Sequence, residues 1–193
     1  YNCWNRIPFY VTQLPDNSGN TNPNYGTATY SSILDGQGLY VTRSDPSYAG
    51  TFLFENNLLV NNGKNGINFD NSLGARAIYR NNTLYYNGVH EIIQNLSVAQ
   101  GNAPHRGQKV GGIKANKVLA VEVANNIIVT RDNQFSALSL LNVNGVYSNS
   151  ASITTANNIF LNGSVSDSNN TDQINVSPLF LSAPSTVNGP ISM

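Results

Sequence analysis

Both histidines of the chain, His90 and His105, fall in one stretch between Asn87-Gly88 and Gly111-Gly112. The stretch is about twenty residues long, more than an ordinary connection needs. Glu91, Arg106 and Lys109 lie in it too. Only 10% of the residues are charged, so this clustering singles the segment out. Histidine can exchange a proton near neutral pH. A lysine or arginine beside it can neutralise a carboxylate. Together they suit removal of a proton α to a carboxylate, which needs one group to stabilise the substrate anion and another to act as base. We read His90 or His105 as the base, and Arg106, Lys109 or Lys114 as neutralisers. Glu91, Asp70, Lys114, Tyr40 and Asn68 are read as substrate-binding groups. Glycoside hydrolysis would instead need two carboxylates roughly 5–10 Å apart, and Asp35, Asp70 and Glu91 are the acids on offer. No cluster of aspartates forms a Ca²⁺ cage; Ca²⁺ stays open as a cofactor and no other is called for.

Each of these residues has a plainer reading. A histidine in a polar loop is more often a solvated side chain than a base. Lys114 on an outward strand position can simply keep a sheet soluble. Asp35, in Asp35-Gly36, is first a turn former. Tyr40, Tyr85 and Tyr86 suit packing as well as sugar stacking, and Arg43, Arg76 and Arg80 suit a solvated surface.

The elements that would position such groups are legible in the asparagines, about one residue in six. They recur between short β-branched and aromatic runs. Phe54-Glu55-Asn56-Asn57-Leu58-Leu59-Val60 and Tyr79-Arg80-Asn81-Asn82-Thr83-Leu84-Tyr85 align on their Asn pairs, as do Val123-Ala124-Asn125-Asn126-Ile127-Ile128-Val129 and Thr155-Ala156-Asn157-Asn158-Ile159-Phe160-Leu161. Each unit reads as a strand, a polar corner and a second strand, repeating at a solenoid period. Asn tolerates the left-handed backbone of a sharp corner, and its amide both donates and accepts. Asn57, Asn82, Asn126 and Asn158 are therefore expected to stack as a structural ladder, with Asn57 and Asn82 buried. Glycine-led segments, Gly36–Thr42, Gly66–Asp70 and Gly112–Asn116, form a second alignment.

Strands are expected near 52–54, 58–60, 66–70, 77–80, 83–86, 112–115, 119–124, 127–130, 137–141, 153–155 and 159–161, in parallel stacks and without helical periodicity. If Leu39, Ile67 and Ile113 face inward, the two-residue alternation turns Tyr40, Asn68 and Lys114 outward, then Thr42, Asp70 and Asn116. The expected fold is thus all-β: a right-handed parallel β-helix, one domain over residues 1–193, with a loop insertion at about 88–110.

Composition narrows the partners. Net charge is zero and no basic stripe exists, which argues against nucleic acid. No apolar run reaches the roughly 18 residues of a membrane span. The single cysteine, Cys3, forms no internal disulfide and reads as a small buried residue. Asn-x-Ser/Thr sequons occur at Asn81, Asn95, Asn162, Asn169 and Asn175. Asn81, in a corner, is expected to be the least accessible.

The order Trp4-Asn5-Arg6-Ile7-Pro8-Phe9-Tyr10, Asp35-Gly36-Gln37-Gly38-Leu39, Phe54-Glu55-Asn56-Asn57, Asn61-Asn62-Gly63, Asn125-Asn126-Ile127-Ile128 and Ser177-Pro178-Leu179-Phe180 resembles a large family of right-handed parallel β-helix repeat proteins, similar to pectate lyases in fold. The resemblance spans nearly the whole chain, and its motifs are turns and core. It implies coils upstream of Trp4-Asn5, so that the chain is expected to be an excerpt of a longer protein or to have lost its N-terminal coils.

Three functions compete on this reading. One is a secreted or cell-surface lyase acting on an acidic polysaccharide. Another is a non-catalytic glycan-binding module. The third is a structural module that self-associates end to end through open coils.

Overall fold

A computed structural model describes residues 37–45, 47–62, 65–88, 110–131, 135–141, 152–166 and 169–179. Among these residues the regular structure is strand alone, with no helix. The strands are β1 (Leu39–Thr42), β2 (Thr51–Glu55), β3 (Leu58–Val60), β4 (Ile67–Arg80), β5 (Thr83–Asn87), β6 (Val110–Ala124), β7 (Ile127–Thr130), β8 (Ser136–Leu141), β9 (Ile153–Ala156), β10 (Ile159–Leu161), β11 (Ser164–Val165) and β12 (Gln173–Ile174). Every expected strand coincides with an observed one. The segments 66–70 and 77–80 are two parts of β4, and 112–115 and 119–124 are two parts of β6. The short β11 and β12 have no counterpart in the sequence reading.

All strand pairs are parallel. One sheet runs β1-β4-β6-β8-β11, with β2 also on β4 and β9 also on β6; the other runs β12-β10-β7-β5-β3. The chain passes repeatedly from one sheet to the other, an all-β arrangement compatible with the coils of a β-helix. Neighbouring strands in such stacks lie about 4.8 Å apart.

Three kinds of corner organise the path. The first bends the long strands. Asn71 and Lys117 both have φ 54 and Arg43 has φ 55. They follow Asp70, Asn116 and Thr42, which are at one level of the sheet. The register of β4 against β6 also shifts between Ser72 and Arg76. Each long strand therefore splits into a first part that meets β1 and β8 and a second part that meets β2 and β9.

The second corner is the Asn-Asn pair, and its two residues divide the work. Asn56, Asn81, Asn125 and Asn157 adopt the left-handed backbone, at φ 56–58. Asn57, Asn82, Asn126 and Asn158 form the expected ladder. The backbone N–H and Nδ2 of each donate to Oδ1 of the next: Asn57 to Asn82, Asn82 to Asn126 and Asn126 to Asn158, at 2.9–3.1 Å. The row ends on a carboxylate, because Asn158 donates in the same way to Asp172 Oδ1 at 2.8 Å. Asn82, Asn126 and Asn158 are buried, but Asn57, at the other end of the row, is only partly so. Asn81 is exposed, correcting the expectation that its sequon is the least accessible. The left-handed backbone leaves it outside while Asn82 enters the ladder.

The third corner carries a shorter ladder, in which Asn62 donates through its backbone N–H and Nδ2 to Asn87 Oδ1 at 3.0 and 2.8 Å. Tyr86 takes a left-handed φ of 52 where the equivalent Asn61 has 54. Its ring stacks on Tyr85 at 4.1 Å, and Arg131 lies 6.0 Å from its centre.

The core is built from the inward rows. Ile67, Ile113 and Leu138 are at one level, Phe69, Ala115 and Leu140 at the next, and all are at most 1% exposed. Leu84, Ile128 and Phe160 are their counterparts on the second sheet. Gly112 is fixed by this packing, since a Cβ there would lie 1.9 Å from the carbonyl oxygen of Ala137.

Tyr79 is the polar exception. Its ring stacks on Phe54 at 5.0 Å, it is wholly buried, and its hydroxyl has no hydrogen-bond partner. Burial pushes its phenol far above the ordinary range. Tyr79→Phe removes an unsatisfied hydroxyl without altering the ring. It is expected to stabilise the chain by about 1–2 kcal/mol in urea unfolding. The pH dependence has a definite sign. Above pH ~10 the unfolded state loses a phenol proton that the folded state keeps, so stability falls as pH rises. Tyr79→Phe should flatten that alkaline fall, and an unchanged alkaline limb would refute the assignment.

Candidate functional site

The first part of the large sheet presents the outward rows expected from the sequence. Tyr40, Asn68, Lys114 and Ser139 are at one level, and Thr42, Asp70 and Asn116 at the next outward one. The inward residues Leu39, Ile67 and Ile113 set this alternation, since a one-residue slip would turn the core rows to the outside.

Along the first row, exposure falls from 51% at Tyr40 to 3% at Asn68, 9% at Lys114 and 4% at Ser139. Tyr40 is therefore a surface ring and not a packing residue. The Asn68 side-chain oxygen is buried and accepts no hydrogen bond. Such an atom favours a donor. Lys114, its neighbour across the strand pair, places a cationic side chain in the same row.

In the second row, Asn116 Nδ2 donates to Asp70 Oδ1 at 2.7 Å. The Asp70 backbone carbonyl accepts from the Arg43 N–H at 3.0 Å. This fixes Asp70 beside the first corner, where Arg43 and Lys117 are both exposed. Among the described residues, three cationic residues, Arg43, Lys114 and Lys117, share this region with the Asp70 carboxylate. By sequence alone Arg43 suits a solvated surface and Lys117 has no evident role. Their common position shows only when the left-handed corner is aligned across strands, as the repeated polar residue after each outward Thr, Asp or Asn could have suggested.

His90, Glu91, His105, Arg106, Lys109 and Asp35 lie outside the described residues. The structure brings together Tyr40, Asn68, Asp70 and Lys114 of the expected set. Asp70 is the one carboxylate on this face among the described residues, which supplies half of what a hydrolase uses. No group of three His, Cys, Asp or Glu side chains gathers among the described residues to hold a metal ion. Asp70 and Asn116, already bonded to each other, offer far fewer oxygens than the six to eight that Ca²⁺ takes. The described part of this face does not fit a Ca²⁺ site.

What this arrangement can do is bind anions. A lysine beside an amide, with two further cations at the adjoining corner, can hold a carboxylate and its neighbouring hydroxyls. No family model, curated protein or solved structure matches this chain.

Proposed function

We propose that the alternating parallel strands close into coils of a right-handed β-helix, and that its outward rows bind and cleave an acidic polysaccharide. Right-handed crossovers are the strong rule for parallel strands joined within a sheet. The observation that carries the binding is that, among the described residues, Arg43, Lys114 and Lys117 share this region with Asp70, in a chain with no net charge. Lys114 neutralises a uronate carboxylate and Tyr40 offers an exposed ring at the open end of the row, while Asn68, 3% exposed, lies beneath the binding surface. With the carboxylate neutralised, the α-proton becomes acidic enough for a histidine to remove; the electron pair it leaves forms the α,β double bond as the β C–O glycosidic bond breaks, and the departing oxygen takes a proton from water. His90 or His105 is the base on this reading, with Arg106 and Lys109 as further neutralisers and Glu91 in substrate binding. A polymer substrate places the protein outside the cell or at its surface.

The non-catalytic reading keeps the same binding face without the proton transfer. End-to-end assembly has less support at the Asn-Asn corner. The ladder ends on Asp172, whose carboxylate has no amide donor to pass to another rung.

The test is an assay of the full chain on a panel of polyuronides, with and without a chelator, following ultraviolet absorbance of the unsaturated product. We expect absorbance to rise on at least one polyuronide and to be unaffected by the chelator. Binding without product would leave the glycan-binding module and remove the lyase. Neither binding nor product would remove both.

A further inference from the structure

The second part of the large sheet has an outward face of its own. A groove of about 580 Å³ crosses its outward face. Thr51, Arg76 and Ala120 are at one level of the strand stack, and Ile78, Glu122 and Thr154 at another, all of them lining the groove. It spans β2, β4, β6 and β9, three strand spacings or about 14 Å. Ile78 and Ala120 give it an aliphatic floor, and no aromatic ring lines it.

Its two charges are exposed. Arg76 and Glu122 sit on a diagonal of adjacent strands, their Cα atoms about 8 Å apart. Neither has a side-chain hydrogen bond or ion pair among the described residues. One row away the same sheet does pair its ions, since Arg80 Nε donates to Glu55 Oε2 at 2.7 Å. Arg76 and Glu122 instead stand unpaired on the apolar strip, able to bond to something laid along it.

We propose that this groove is a second glycan-binding site, one that takes an acidic polysaccharide in which a uronate alternates with an uncharged sugar. Arg76 holds the carboxylate in a charge-assisted hydrogen bond. Glu122 accepts from the hydroxyls of the uncharged neighbour, with Thr51 and Thr154 at the ends of the strip. The aliphatic floor meets the C–H faces of the rings. A polymer of uronate alone is disfavoured, because its next carboxylate falls near Glu122 and like charges repel. The ligand class rests on the function proposed above, but the groove does not share that site's residues. The Arg43–Asn71–Lys117 corner separates the two.

Calorimetric titration of the full chain tests this with two probes. One is an oligosaccharide of alternating glucuronate and N-acetylglucosamine, and the other is an oligogalacturonate of the same number of sugars. Lys114→Met serves as background, so that the first face is weakened throughout. Arg76→Gln and Glu122→Gln are each expected to weaken the alternating probe by about tenfold, the scale of one charge-assisted hydrogen bond. Glu122→Gln is expected to tighten oligogalacturonate. Both substitutions are at exposed positions and should leave the unfolding midpoint unchanged. Absence of binding by the alternating probe, or binding of that probe that neither substitution alters, overturns the proposal. Loss of lyase activity in Lys114→Met with alternating-probe binding intact separates this site from the first. A failed polyuronide assay with groove binding retained removes the lyase and leaves this site standing.

Discussion

Lys114→Met is expected to lower kcat/KM on a polyuronide by about a hundredfold, the scale of a lost electrostatic stabiliser. The substitution keeps most of the aliphatic volume and removes only the ammonium, so packing around this 9% exposed side chain is conserved. If Lys114 neutralises the carboxylate as the proton leaves, kcat falls together with kcat/KM. If it only anchors the polymer, KM rises and kcat stays. Arg43→Gln and Lys117→Gln behave differently. Their residues are exposed, so they act by long-range attraction, and the losses should be several-fold and vanish at high salt. For the base, either His90→Ala or His105→Ala should cost a hundredfold or more in kcat. Full activity in Lys114→Met, with an unchanged unfolding midpoint, would end the assignment of this face.

Asn126→Ala is expected to destabilise the chain by about 3 kcal/mol or more, because several buried groups lose partners at once. Asn126 Oδ1 accepts from both the backbone N–H and Nδ2 of Asn82, at 3.0 and 2.9 Å. Its Nδ2 donates to the Tyr79 and Ala124 carbonyls and to Asn158 Oδ1, at 2.9–3.0 Å. Alanine removes every one of these bonds in the middle of a polarised row, where each bond strengthens the next. Asn82→Ala interrupts the same row one step away and should cost roughly 1–3 kcal/mol. Asn57→Ala, at the partly buried end, should cost less. Asp172 gives the sharpest control. Asp172→Ala strands the Asn158 N–H and Nδ2, whereas Asp172→Asn keeps an oxygen to receive them. Urea unfolding should therefore order the variants Asn126→Ala, Asp172→Ala and Asp172→Asn from most to least destabilised. Equal losses in the last two would show that a terminal acceptor is not what the row needs.

The Asn-Asn units alone determined that this chain forms short parallel strands joined at polar corners. The pattern is local and repeated, and each repeat meets the same need for a left-handed turn and a self-complementary amide. The period-two alternation likewise determined which residues of Leu39–Thr42, Ile67–Asp70 and Ile113–Asn116 face outward, because a buried row of Ile, Phe and Leu permits a single register. Tertiary structure decided the rest. Which Asn of each pair bends and which one bonds depends on its neighbour in the next strand, and so does the end of the ladder on Asp172, 14 residues beyond Asn158. The burial of Asn68 and Lys114 on an outward row does not follow from alternation, which gives direction and not coverage. The gathering of Arg43 and Lys117 about Asp70, and of Arg76 and Glu122 over one groove, joins residues 27 to 74 positions apart in the sequence. Long-range register sets these distances, since strands far apart in the chain lie only about 4.8 Å apart in the stack.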